Sequence, residues 1–85
     1  MKEDFSKKFN GIDFQFQRKY HKNKELWYYI NFDNNGKNTS FKMYKNEEGT
    51  WDIAAQMIPE WVKEMQIEFN ELLVKNENNE EINSL

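Results

Sequence analysis

The side chains in this chain that could carry chemistry are one histidine, a scatter of carboxylates, and rings interleaved with lysines. His21 stands in a basic stretch, His21-Lys22-Asn23-Lys24-Glu25. Catalysis by histidine needs an oriented partner, and a metal site needs several ligands. Neither accompanies His21, so a solvated turn residue is expected there. Asp13 and Asp52 fall inside predicted strands, but nothing pairs them as acid and base in a shielded cleft. Gly11, Gly36 and Gly49 read as turn glycines rather than as a phosphate-cradling loop. The chain is therefore expected to be no enzyme, with no cofactor, no metal and no small-molecule substrate.

What remains is a surface. Trp27, Tyr29, Lys42 and Tyr44, with Gln15, Gln17 and Lys19 on a neighbouring strand, would form an aromatic and basic platform on one face of a sheet. Rings flanked by cations suit unstacked bases, whose stacking contributes about 1 to 3 kcal/mol each. The same rings suit a second copy of the chain, a partner protein, or a cover supplied by Phe5 and Phe9 of the N-terminal arm. The leading expectation is a small interaction module that self-associates, as a homodimer or larger homo-oligomer, through this outer face. The alternative is a single-stranded nucleic-acid binder using the same residues. A third reading is an acidic inhibitor protein, because Glu60, Glu64, Glu68 and Glu71 recur at steps of three and four and line one helix flank. Ile67 and Val74 are expected to project away from the helix's core stripe, as two ordinary exposed apolar residues.

Charge is divided along the chain. Residues 1–45 hold ten Lys/Arg against five Asp/Glu, and residues 46–85 hold two against ten, so the net charge of −3 conceals a basic front and an acidic back. That basic excess is modest for a phosphate binder. It also permits head-to-tail self-association at low salt, which added salt would weaken. At 85 residues with no cysteine, the chain is expected to build a single core without disulfides. No apolar run of signal-peptide or membrane-spanning length occurs, so a cytoplasmic protein without membrane contact is expected.

The elements that must position the platform follow from periodicity. Residues 12–20 alternate, with Ile12, Phe14 and Phe16 inward and Asp13, Gln15, Gln17 and Lys19 outward. Residues 26–33 are aromatic and β-branched on both faces, with Leu26, Tyr28, Ile30 and Phe32 directed to the core and Trp27, Tyr29 and Asn31 away from it. Asn35-Gly36 predicts a tight hairpin into a strand over 38–45, and Asn46-Glu47-Glu48-Gly49 a second turn into a short strand with Trp51 and Ile53 inward. The period then changes. Ile58, Trp61, Val62, Met65, Phe69, Leu72 and Leu73 share one stripe of a helix starting near Pro59, with Asn76 as a left-handed stop.

The expected fold is α+β: a four-stranded antiparallel β-meander packed on one C-terminal α-helix as a two-layer sandwich. A single domain is drawn at 1–75, with room for an extra strand or short helix at residues 4–9, and a disordered acidic tail at 76–85. In element order alone, this layout is similar to that of single-stranded-DNA-binding transcriptional coactivators.

Overall fold

The computed structural model describes residues 4–20, 25–54 and 57–78. An antiparallel sheet in the order β1-β2-β3-β4-β5 is formed by Phe5–Phe9 (β1), Ile12–Tyr20 (β2), Leu26–Asn34 (β3), Lys37–Lys45 (β4) and Trp51–Ala54 (β5). Helices follow at Glu60–Lys63 (α1) and Gln66–Glu77 (α2). The α+β architecture expected from the sequence is the one found, with one strand more than the four of the meander.

That added strand has a local cause. Asn10 and Gly11 take φ of 51° and 78°, as Asn35 and Gly36 take 53° and 87°. Two successive positive φ angles make the tight hairpin turn whose twist matches paired strands, so β1 folds back on β2 as β4 does on β3. The β4–β5 connection is closed by backbone bonds from Asn46 N–H to Thr50 and from Gly49 N–H to Asn46, and by the Asn46 side chain. Asn46 Oδ1 accepts the backbone N–H groups of Glu48 and Thr50, both at 2.9 Å, and Gly49 adopts φ 87°.

Period-two geometry directs Phe14, Phe16, Tyr28, Ile30, Phe32, Phe41, Met43 and Trp51 to one side of the sheet, where all are buried. Val62, Phe69, Leu72 and Leu73 close the core from the helical layer, with Ile58, Trp61 and Met65 packed against it. The predicted stripe is thus on the core. The single helix expected over it is broken, however. Met65 N–H bonds back three residues to Val62, and Met65 then serves as the N-cap of α2. The spacing of apolar residues is indifferent to such a break, because both pieces keep the same face inward. The bend lets Trp61 meet Phe14 and Phe32 edge-on, each at 6.0 Å, while α2 lies against β5.

Val74 and Asn76 both depart from expectation. Val74 is not a free apolar residue but packs partly on the core, whereas Ile67 is 71% exposed. Asn76 is no left-handed stop. It lies buried inside α2 and donates from Nδ2 to Tyr28 Oη at 2.7 Å. The helix runs to Glu77; residues 79–85 of the expected tail lie outside the described residues, as does His21.

The end of α2 is fastened to the sheet by polar groups. Arg18, on the inner side of β2, meets Glu77 through two parallel bonds, Nε to Oε2 at 2.7 Å and a terminal nitrogen to Oε1 at 3.0 Å. Tyr28 donates its hydroxyl to the same carboxylate. Paired, charge-assisted bonds of this kind fix geometry as well as adding energy. Beside them, α2 also caps the free edge of β5: Asn70 Oδ1 accepts Trp51 N–H at 2.8 Å, and Gln66 Oε1 accepts Ile53 N–H at 3.3 Å. Among the described residues, no helix is long and apolar enough to cross a membrane.

Candidate interaction face

The opposite side of the sheet carries the residues expected to form the platform. The register places Lys19 beside Trp27 and Trp27 beside Tyr44, then Gln17 beside Tyr29 and Tyr29 beside Lys42. Gln15 faces Asn31, which faces Ser40, in the next row. All seven residues singled out from the sequence therefore share one surface. The two hairpins and the β2–β3 pairing put them there, because a slip of one residue would have turned every ring into the core.

Side-chain contacts knit the rows together. Trp27 and Tyr44 lie 5.6 Å apart at a tilted angle. The Lys42 ammonium sits 5.7 Å from the Trp27 ring centre and 5.5 Å from that of Tyr29, and the Lys19 ammonium lies 5.6 Å from Tyr29 on its other side. A cation over a ring face is drawn to its negative quadrupole, by about 0.5 to 1 kcal/mol where water has access. Trp27 and Tyr29 are half-buried, and Tyr44 is exposed. The Trp27 indole N–H points to Glu25 Oε2 at 3.4 Å.

Phe5 and Phe9 do not cover this face. Alternation along β1 sends both to the core side, where Phe5 stacks on Phe16 at 4.6 Å and Phe9 meets Phe69 edge-on at 5.4 Å. The N-terminal arm is a structural strand whose rings join the core.

The carboxylates are distributed differently. Asp13 lies within 4.0 Å of Lys8 in an exposed pair, and Asp52 accepts from Asn46 Nδ2 at 2.8 Å and Gln66 Nε2 at 2.9 Å. Glu60, Glu64, Glu68 and Glu71 are all exposed on the helical layer, on the far side of the core from the rings, with Ile67 among them. Among the described residues, no three His, Asp or Glu side chains gather closely enough to hold a metal ion.

The best-organised polar cluster was not singled out in the sequence. Arg18, Tyr28, Asn76 and Glu77 draw on two strands and the last turn of α2. Burial, then the bond to Glu77, raise the Tyr28 hydroxyl well above its ordinary value of 10.0, while Asn76 acts in the opposite sense. The Arg18 guanidinium is also raised above its ordinary value, chiefly by its bond to Glu77. One available signal was Arg18 itself, a cation on the inward phase of β2. Comparison with protein-family models, curated proteins and solved structures found no match.

Proposed function

We propose that this protein is a non-enzymatic interaction module that self-associates through the outer face of its sheet. The observation carrying this reading is a pair of clusters of unlike charge, each with exposed apolar surface, on opposite sides of the core. One presents Trp27, Tyr29 and Tyr44 with Lys19 and Lys42 among them; the other presents Ile67 with Glu64, Glu68 and Glu71 around it. Face-to-face pairing of two identical ring surfaces would leave the glutamates of the helical face without a partner. Stacking the ring face of one copy on the helical face of the next sets lysines against glutamates and an exposed isoleucine against aromatic rings. Such contacts are heterologous and extend in a row unless rotation closes them.

Charge exchange tests the arrangement. Lys42→Glu alone and Glu68→Lys alone should each weaken association by about tenfold or more, while the doubly exchanged protein should recover much of it. Light scattering at matched concentrations provides the readout. Failure of the double variant to recover would remove the head-to-tail contact from the account.

A second reading rests on the shared position of Lys42 over Trp27 and Tyr29. Rings with an ammonium between them also suit single-stranded nucleic acid. If that is the ligand, Trp27→Ala should weaken oligonucleotide binding by about 1 to 3 kcal/mol, and Lys42→Ala should flatten its salt dependence. Unchanged binding in both variants would dismiss it.

A further inference from the structure

The dipeptide Asn-Gly occurs twice, at Asn10-Gly11 and Asn35-Gly36, and both copies form hairpin turns exposed to water. Their backbones match, with φ of 51° and 78° in one and 53° and 87° in the other. Asparagine before glycine is the pairing in which a side-chain amide is most easily lost, because no Cβ on the glycine hinders attack by its nitrogen on the asparagine Cγ. Neither glycine is crowded either, since the space that a Cβ would occupy is open or nearly so at both. The turn itself is the obstacle. It holds the asparagine at a ψ of about +30°, which turns the glycine nitrogen away from Cγ, so the two atoms meet only when the turn opens.

The two turns are anchored differently. At Asn10-Gly11 the closing pair is Phe9 and Ile12, and both pack on the core; Phe9 meets Phe14 at 5.8 Å and Phe69 at 5.4 Å. Opening that turn pulls apolar surface into water. At Asn35-Gly36 the closing pair is Asn34 and Lys37, and the next is Asp33 and Asn38. None of these four residues belongs to the core. Neighbouring strands stop short of them as well: β2 pairs with β3 only as far as Phe32, and β5 pairs with β4 only from Lys42 onward. A bond from Thr39 Oγ1 to the Lys37 carbonyl, at 3.2 Å, stays within β4. The β3–β4 tip can therefore fray over two polar pairs without disturbing the core, and openings of that kind lie at the low end of a protein's local stability.

From this we infer that Asn35 is a site of self-modification, at which the folded protein converts asparagine to isoaspartate and aspartate, while the anchors of the other turn protect Asn10. In the opened turn the Gly36 nitrogen attacks Asn35 Cγ. The new N–C bond closes a cyclic imide, the Cγ–Nδ2 bond breaks, and the side-chain nitrogen leaves as ammonia with the proton from the Gly36 amide. Water then opens the imide. Cleavage at the side-chain carbonyl gives aspartate; cleavage at the main-chain carbonyl reroutes the backbone through the side chain and gives isoaspartate. Either product adds a carboxylate close to Asp33, and isoaspartate also lengthens the main chain by one methylene, which the two-residue turn cannot absorb. Because the tip stands clear of the core, the change is confined to it and the fold survives. The site lies at the other end of β3 and β4 from Trp27 and Tyr44, and does not depend on the head-to-tail contact.

The test is incubation of the folded wild-type protein at mildly alkaline pH, with samples digested by trypsin and the peptides carrying Asn10 and Asn35 followed by mass spectrometry. An isoaspartyl methyltransferase serves as the probe for the rerouted product. Conversion at Asn35 should outpace that at Asn10 by about tenfold or more in the folded protein. In guanidinium chloride above the unfolding midpoint, where both turns are lost, the two rates should converge. Converted protein, separated by ion exchange, should keep its circular dichroism spectrum, with amide shifts confined to residues Asp33 to Asn38. The inference is overturned if Asn35 is not converted in the folded protein or if Asn10 keeps pace with it. It is equally overturned if the difference persists in denaturant, which would assign it to neighbouring residues rather than to packing, or if the converted protein loses its folded spectrum.

Discussion

Tyr28 shows how much one buried hydroxyl can decide. Its ring is fully buried and meets Trp51 edge-on at 5.1 Å, while its oxygen joins Asn76 to Glu77 and, through Glu77, to Arg18. A phenol whose proton is held more tightly in the folded than in the unfolded chain favours folding fully below its ordinary value of 10.0. That contribution is lost progressively as pH rises above it. Urea unfolding followed from pH 8 to 11 should therefore show a fall in stability that is shallower in Tyr28→Phe; identical slopes would contradict the assignment. Glu77→Gln should cost about 1.5 to 3 kcal/mol at neutral pH, since Arg18 and Tyr28 then lose their shared charged acceptor. The sequence concealed this cluster because Glu77 lies in a run of asparagines and glutamates that resembles a tail. Only the docking of the last helical turn reveals it.

At the scale of elements, strand faces were legible because alternation is a local property. Ile12, Phe14 and Phe16, then Tyr28, Ile30 and Phe32, fix one side of the sheet, and that assignment carries the seven platform residues to the other. The tight turn at Asn35-Gly36 was equally legible. The same dipeptide at Asn10-Gly11 held the information for β1, which supplies Phe5 and Phe9 to the core. The break at Met65 was not legible, since the apolar spacing reads the same in one helix or two. Neither was the capping of β5, which joins side chains of α2 to backbone groups 13 and 19 residues away. Asn70→Ala should cost about 1 to 3 kcal/mol by leaving the Trp51 N–H without its acceptor, measurable by thermal or urea unfolding. The uncovered edge should also make the variant more prone to aggregate.

For the whole molecule, two clusters of unlike charge lie on opposite sides of the core. Lys19 and Lys42 come from the basic front and sit among the rings; Glu64, Glu68 and Glu71 come from the acidic back and line the helical layer. They are borne by a thin body, 20 Å along its shortest axis and 33 Å along its longest, in which Asp13, Asp33 and Asp52 share the outer side of the sheet with the lysines. That arrangement is the basis for expecting copies to stack. Sedimentation velocity across a wide range of protein concentration, at roughly 20 mM and roughly 500 mM salt, tests it most directly. Head-to-tail association predicts sedimentation coefficients that rise steadily with concentration at low salt and much less at high salt, with Trp27→Ala shifting the protein toward monomer at both. A single monomeric boundary at every concentration in low salt would contradict it.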